Sequence, residues 1–163
     1  MKKVDNKLKF ISPILMWLIV IVGIIIIFLL FSGNKLFQIN YLTITLAVIF
    51  IIYWLFMFPW SIKTHREAPL STLKISKLIK EGPYKIVRHP IYSSDIILGI
   101  GIFLLFPSQQ ILISLIWLII ILSIWMKLEE NSLIKKFGSE YKKYKSITPM
   151  LIPKMKGGKN EKV

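Results

Sequence analysis

The sequence contains no cysteine, two histidines and only eight acidic residues against 22 lysines and arginines. Without cysteine the chain can form no disulfide, no thiolate metal site and no cysteine nucleophile. The two histidines, His65 and His89, are too few for a histidine-based metal site. We therefore predict that the protein holds no metal ion.

Apolar residues dominate what is present. They make up 55% of the 163 residues, and the mean hydropathy is +0.64, both far above the values of soluble proteins. The sequence therefore predicts an integral membrane protein with a single domain, residues 1–163. The net charge of +14 does not indicate a nucleic-acid partner, because the basic residues flank apolar runs, where lysine and arginine set topology and contact anionic membrane lipids.

Four apolar runs have the length and composition of membrane helices. We predict an all-α polytopic membrane protein with helices at 10–32, 41–59, 91–106 and 111–126. The basic start before the first run also fits a signal peptide, but the run is long for one and no small-residue cleavage site follows it. Only a short uncharged turn separates the third and fourth runs, and small residues in the third favour close approach, so these two helices should form a hairpin.

Positive charges are distributed unevenly along the chain. Segment 60–90 carries seven, the residues after Met126 carry ten and residues 1–9 carry four, whereas the first loop has one and the tight turn has none. By the positive-inside rule, both termini and the 60–90 loop are cytoplasmic. The lack of cysteine and the charge bias suit either a prokaryotic cytoplasmic membrane or an endoplasmic reticulum membrane that faces the cytosol. The small size and the abundance of isoleucine and lysine favour the prokaryotic membrane.

Segment 127–153 follows the fourth run and contains the pattern of an amphipathic helix. Apolar side chains recur at three- and four-residue spacing between Lys127 and Lys145, and the lysines lie mainly at other positions. Such a helix can lie on the membrane surface, but we expect 127–153 to cover a cofactor pocket. Gly138 predicts a break or a close contact within it, and residues 154–163 predict a loose basic tail.

The polar stretch 81–92 separates two apolar runs. Pro90 favours a helix that starts there, so Arg88 and His89 should lie at the mouth of a membrane helix. Ionisable groups at that depth indicate a functional site. The alternative interpretation is that Arg88 binds lipid phosphates and that His89 only caps the helix. The acidic pair 129–130 follows the fourth run on the same side of the membrane, so the two groups together suit a ligand that carries both charges.

Two motifs in this part of the chain resemble those of a known membrane enzyme family. In chain order they are Gly82-x-Tyr84-x-x-x-Arg88-His89-Pro90-x-Tyr92, and Glu129-Glu130-x-Ser132-Leu133-Ile134-x-x-Phe137-Gly138-x-Glu140-Tyr141-x-x-Tyr144 followed by Pro149 and Pro153. They resemble the signature of the isoprenylcysteine carboxyl methyltransferases and their phospholipid methyltransferase relatives. The resemblance covers residues 76–153, whereas the first two apolar runs match only as generic membrane helices.

The resemblance implies S-adenosyl-L-methionine as methyl donor at the cytoplasmic membrane face, and a lipophilic acceptor, either a prenylcysteine-like carboxylate or a lipid amine. The cofactor-binding residues that it implies are Ser76, Lys77, Leu78, Ile79, Tyr84, His89, Pro90, Ile91, Tyr92 and Glu129. A carboxylate such as Glu129 can pair with the ammonium group of the cofactor, and aromatic faces accept its sulfonium. Methyl transfer from an activated donor depends mainly on positioning, and the sequence identifies no catalytic base.

Three positions depart from the pattern of this family, and one of them, Ser94 in place of the usual glycine after the first motif, is a mild change. Trp125 stands where the prenylcysteine enzymes have an arginine that orients the substrate carboxylate, and we assign Arg88 and Trp125 to acceptor binding. Asp95 follows the first motif as it does in membrane sterol reductases, which use NADPH, so a reductase is the alternative enzyme. A non-enzymatic membrane protein that binds anionic lipid is the third hypothesis, but it does not explain the two motifs.

Overall fold

The computed structural model describes residues 13–66 and 75–153, and within these ranges the protein is helical. Its elements are α1 (Pro13–Leu30), α2 (Tyr41–Thr64), α3 (Pro83–Ile86), α4 (Pro90–Leu105), α5 (Gln109–Phe137) and α6 (Ser139–Ile147). The only β pairing in the described ranges is an isolated bridge between Lys35 and Ser108. The predicted all-α class is therefore confirmed. The start of the first span, part of the 60–90 loop and the 154–163 tail lie outside the described residues.

Helices α1, α2 and α5 are long and apolar enough to cross a membrane, with 18, 24 and 29 residues. Less than a third of the most apolar part of each is buried inside the protein. Large apolar side chains such as Leu29, Leu30 and Phe56 point outwards, which is favourable only in lipid. The protein is thus an integral membrane protein. Helix α4 has 16 residues, about 24 Å of helix against a hydrocarbon core of about 30 Å.

Helix α2 continues five residues beyond the end of the predicted second span. Pro59 lies inside the helix, which ends at Thr64. A proline has no amide donor and usually bends or ends a helix. For that reason the predicted second span ends at Pro59. Here the hydroxyls of Ser61 and Thr64 donate to the carbonyls of Met57 and Trp60 at 2.6 and 2.8 Å, so polar groups on the last turns are satisfied within the helix.

Helix α5 likewise extends past the fourth apolar run. Residues 127–137 contain no helix breaker, so the helix continues to Phe137 and ends at Gly138, whose φ is 55°. The predicted amphipathic helix from Lys127 to Lys145 is therefore two pieces, the last turns of α5 and the separate α6. Of the two roles predicted for Gly138, the break is confirmed, while a Cβ added there would contact nothing within 4 Å.

The helices pack in two main pairs, α2 with α4 and α1 with α5, and α4 also contacts α5. Gly101 lets α4 approach α2, because a Cβ there would lie 3.4 Å from the Ala47 carbonyl oxygen. Gly23 does the same for α1, where a Cβ would overlap the Trp117 ring of α5. The core cluster consists of Met16, Val20, Tyr92, Ile121, Leu122, Trp125 and Met126. This packing sets the first turn of α4 beside the carboxy-terminal half of α5.

Candidate active site

The first turn of α4 is held by the segment that follows α6. The amide of Arg88 donates to the Pro149 carbonyl at 2.8 Å, and the amide of His89 donates to the Met150 carbonyl at 3.1 Å. One turn further along α4, the Ser93 hydroxyl donates to the Leu151 carbonyl at 3.0 Å. We name residues 148–151 the strap. Because the strap satisfies amides at the start of α4 that have no partner within the helix, it fixes where the adjacent side chains point.

Arg88 and Glu130 form a buried ion pair beneath the strap. Arg88 Nε lies 2.7 Å from Glu130 Oε1, and both side chains are less than a tenth exposed. Arg88 Nη1 also donates to the carbonyls of Lys145 and Thr148, and Lys145 Nζ lies 2.7 Å from Glu130 Oε2. The pair thus joins α5, α6 and the strap, and it satisfies most of the hydrogen-bonding capacity of Arg88 internally.

Glu129 points away from that ion pair and into a cavity. The Tyr92 hydroxyl donates to Glu129 Oε1 at 2.7 Å, and His89 Nδ1 lies 3.7 Å from Glu129 Oε2. The rings of His89 and Tyr92 stack with centroids 5.8 Å apart, which orients both against the carboxylate. His89 Nε2 lies 3.4 Å from Glu130 Oε1, so the imidazole stands between the two glutamates. The two adjacent acidic residues therefore have different surroundings.

Tyr84 contributes an unpaired hydroxyl to the same cavity. Its carbonyl accepts a hydrogen bond from the Tyr144 hydroxyl at 2.6 Å, and its ring lies 5.4 Å from that of His65. Its own hydroxyl is buried and has no hydrogen-bond partner among the described residues. Burial raises the pKa of the Tyr84 phenol, so the hydroxyl stays protonated at neutral pH. The Tyr84 hydroxyl is therefore a buried hydrogen-bond donor that is available to an acceptor on a ligand.

These groups line one cavity of about 750 Å³, a volume typical of small-molecule sites. Its polar end is formed by His65, Tyr84, Arg88, His89, Tyr92, Glu129, Tyr141 and Tyr144. Its apolar arm, which also contains Asp95, runs between α1, α2 and α4 and is formed by Ile14, Trp17, Leu18, Ile21, Trp54, Phe58, Ile62, Ile91 and Leu98. The cavity therefore joins a polar end at the first turn of α4 to an apolar arm among the membrane helices.

The structure brings most of the predicted site residues to this cavity. Those that line it are Leu78, Ile79, Tyr84, Arg88, His89, Pro90, Ile91, Tyr92 and Glu129. Ser76 and Lys77 are exposed and lie outside the lining. Trp125 also lies outside it, because its side chain packs in the core cluster between α1 and α5. The position that corresponds to the substrate-orienting arginine thus faces the core and not the cavity.

Several lining residues were not among the predicted ones. His65 lies within the predicted 60–90 loop, and it reaches the cavity because α2 continues through Pro59. Trp17 of α1 and Trp54 of α2 also line it, and neither lies in a motif, so no signal in the chain marks them. Asp95 was noted only as a departure from the methyltransferase pattern, although an acidic residue within an apolar run is itself a functional signal.

Comparison with known proteins identifies a family that this chain matches. The sequence model of a family described as phospholipid methyltransferase matches residues 42–140. That range contains α2 from its second residue, α3, α4 and all of α5. It includes six of the eight residues that form the polar end of the cavity, all except Tyr141 and Tyr144. No curated protein matches the chain.

Proposed function

The chain belongs to the phospholipid methyltransferase family and is a membrane methyltransferase, and we propose that it transfers a methyl group from S-adenosylmethionine to a small lipophilic acceptor at the cytoplasmic membrane face. One observation carries the proposal: a single cavity joins a polar end, built from both sequence motifs, to an apolar arm between membrane helices. A polar donor and a lipophilic acceptor can meet at the junction of the two.

The residues at the polar end fit S-adenosylmethionine. Glu129 supplies a carboxylate for an ammonium group, and its side chain is held by Tyr92 while remaining 14% exposed. Tyr84 supplies an unpaired hydroxyl donor for a carboxylate or a ribose. Tyr92 and His89 present stacked rings beside them, and Leu78 and Ile79 supply apolar contacts. When bound, the cofactor supplies an activated methyl group on a positively charged sulfur.

The chain's own contribution to the reaction is placement and exclusion of water. The strap and the ion pair of Arg88 with Glu130 hold the first turn of α4 rigid. His89 and Tyr92 orient Glu129 towards the cavity. Tyr141 and Tyr144 of α6 lie buried over the polar end. Fixing two reactants in line within a dry site removes most of the entropic barrier of a displacement reaction.

The topology proposed with this function places the polar end in the cytoplasm. The lysines and arginines after Met126 and in segment 60–90 favour that side. Helix α4 then serves as a fourth, short membrane segment that forms a hairpin with α5, to which Pro107 and Ser108 connect it. Prokaryotic cytoplasmic membrane remains the proposed location, and membrane lipids are the proposed surroundings of α1, α2 and α5.

The test is calorimetric titration of detergent-purified protein with S-adenosylhomocysteine, with NADPH titrated in parallel. We expect S-adenosylhomocysteine to bind and NADPH not to bind. Glu129→Gln removes the charge that pairs with the cofactor ammonium, so it should weaken binding by about tenfold or more, in line with one charged hydrogen bond. Glu140→Gln is the matched control, because Glu140 is an exposed carboxylate that pairs with Lys80 outside the cavity.

The outcomes separate the alternatives. Binding of NADPH alone would overturn the proposal in favour of a reductase in which Asp95 is the residue to study. Binding of neither compound by folded protein would favour a lipid-binding protein without this chemistry. Equal affinity of wild type and Glu129→Gln would leave the cofactor class intact and refute the placement of its ammonium group.

A further inference from the structure

Asp95 is a buried carboxyl group with half of its hydrogen-bonding capacity unused. It lies on α4, one turn beyond Tyr92, and 7% of the residue is exposed. Its Oδ1 accepts a hydrogen bond from the indole Nε1 of Trp54 at 3.0 Å. Its Oδ2 has no hydrogen-bond partner among the described residues. Both side chains line the apolar arm of the cavity. An unpaired polar atom in such surroundings costs free energy, so folding alone does not account for it.

The link between α2 and α4 does not need a carboxylate at this position. The two helices already pack closely where Gly101 meets Ala47, and the Trp54 ring is held by stacking on Phe58 with centroids 5.0 Å apart. A single acceptor atom, such as an asparagine oxygen, would satisfy the indole N–H equally well. The second oxygen of Asp95 is therefore available to a ligand in the arm.

The surroundings of Asp95 select the chemistry of that ligand. The neighbouring lining of the arm, which includes Trp17, Phe58 and Leu98, is apolar and suits a hydrocarbon tail. An ammonium group on that tail would donate to the free Asp95 Oδ2 in a charge-assisted hydrogen bond. Because an ammonium nitrogen has no lone pair, its proton passes to Asp95 before the neutral amine can accept a methyl group. A carboxylate would instead meet a second acidic group, and the cation at the polar end, Arg88, is already bonded to Glu130 and to two carbonyls.

We propose that Asp95, positioned by Trp54, binds the methyl acceptor through an amine group and thereby selects lipophilic amines over lipophilic carboxylates. The inference rests on the proposed function, because it concerns the second substrate of the same cavity. It resolves the choice between a carboxylate and an amine acceptor that the sequence leaves open. Trp54 acts as a positioning residue, since it orients the carboxyl group and does not contact the amine nitrogen itself.

The experiment compares two probes of equal chain length, decylamine and decanoic acid, by calorimetric titration of the full chain in phosphatidylcholine nanodiscs. Empty nanodiscs give the blank for partition into lipid. We expect the wild-type protein to bind decylamine about tenfold or more tightly than decanoic acid, the effect of one buried charge-assisted hydrogen bond. Each sample is also titrated with S-adenosylhomocysteine, which reports on the polar end of the cavity.

Three variants assign the preference to Asp95. Asp95→Asn keeps an oxygen for Trp54 but loses the charge, so the preference for the amine should disappear while S-adenosylhomocysteine binds as before. Asp95→Glu keeps a carboxylate and should retain the preference. Trp54→Phe keeps an aromatic ring for Phe58 but removes the N–H, so it should reduce the preference without abolishing it. Glu140→Gln again serves as the matched carboxylate control and should behave as wild type.

The results that overturn the inference are distinct from those that overturn the function. If wild type binds S-adenosylhomocysteine but shows no preference for decylamine, or if Asp95→Asn keeps that preference, Asp95 does not select the acceptor and only this inference fails. Both probes are also titrated with S-adenosylhomocysteine bound, so that its ammonium group occupies Glu129, and this wild-type comparison decides the point even if Asp95→Asn does not fold. If the wild-type protein fails to bind S-adenosylhomocysteine, the proposed function and the inference fail together.

Discussion

The two adjacent glutamates of α5 have different contacts, because successive side chains on an α-helix point in directions about 100° apart. Glu129 faces the cavity, where it accepts from Tyr92, while Glu130 faces Arg88 and Lys145. The first is free to meet a ligand, and the second has all its partners within the protein. Substitution of each should therefore affect a different measurement, ligand affinity for Glu129 and stability for Glu130.

Glu130→Gln should destabilise the protein strongly. The change leaves the buried Arg88 guanidinium without its counter-charge, which typically costs about 3 kcal/mol or more of unfolding free energy. Thermal unfolding in detergent measures the loss as a lower midpoint. Glu140→Gln removes a carboxylate from the exposed pair with Lys80 and should cost less than about 1 kcal/mol. Equal midpoints for the two variants would show that the Arg88–Glu130 pair contributes no more than a surface pair.

For single residues, the sequence predicts which side chains form the site better than it predicts which of them contact each other. The motif that contains Arg88, His89 and Tyr92, together with Glu129, is recognisable as a cluster, and the cavity does contain these side chains. The pairing of Arg88 with Glu130 is not readable, because adjacent glutamates look equivalent until the phase of the helix is known. Trp125 was assigned to the acceptor by position, yet the same helical phase turns it into the core.

At the scale of elements, Gly82 and Gly138 are the two described residues with positive φ, at 54° and 55°. Each precedes a short helix, α3 or α6, and has a strongly negative ψ. This backbone conformation is essentially restricted to glycine. The two glycines therefore allow the sharp reversals that bring α3 and α6 towards the cavity.

Gly138→Ala and Gly82→Ala form a graded pair of tests. At Gly138 a Cβ meets nothing within 4 Å, so alanine pays only the backbone strain, about 1–3 kcal/mol. At Gly82 the same Cβ would also lie 3.0 Å from Thr64 Oγ1, so the loss of stability should be larger. Chemical or thermal unfolding in detergent ranks the two. A larger effect at Gly138 than at Gly82 would contradict this account of their roles.

Helix ends were the least predictable feature of the elements. The start of α4 at Pro90 follows from the stiffness of proline, and the sequence predicted it. The ends of α2 and α5 did not follow, because hydrophobicity stops at the membrane surface whereas helical hydrogen bonding continues until a breaker intervenes. Pro59 proved too weak a breaker, and Gly138 proved a sufficient one. His65 reaches the cavity for that reason, since it follows the extended end of α2.

For the whole molecule, topology is the prediction that the helices themselves do not test. The protein has no cysteine, so a single introduced thiol reports on one position without background. Gln38→Cys in the exposed connection after α1 should react with a membrane-impermeant maleimide in intact bacterial cells. Lys142→Cys on the exposed face of α6 should react only after the cells are opened. The opposite pattern would place the polar end of the cavity on the outer face of the membrane.

The class of the molecule was predictable from composition, whereas the apolar arm of its cavity was not. An apolar fraction of 55% demands a membrane, and two spaced motifs point to methyl transfer. The apolar arm depends on how α1 and α2 pack around α4, and residues such as Trp17 and Phe58 carry no mark of that role. Generic apolar helices look alike in sequence, because lipid imposes the same composition on every outward face.

The strap has a consequence for the order in which the protein becomes active during its synthesis. Residues 148–151 leave the ribosome after all six helices, yet they supply the carbonyls that hold Arg88, His89 and Ser93. Chains fold from the amino terminus as they are made, so the membrane helices can insert and pair while the cavity is still open at its polar end. A nascent chain is thus inserted into the membrane before its ligand-binding cavity is complete. It can bind its ligands only after residues 148–151 have been synthesised.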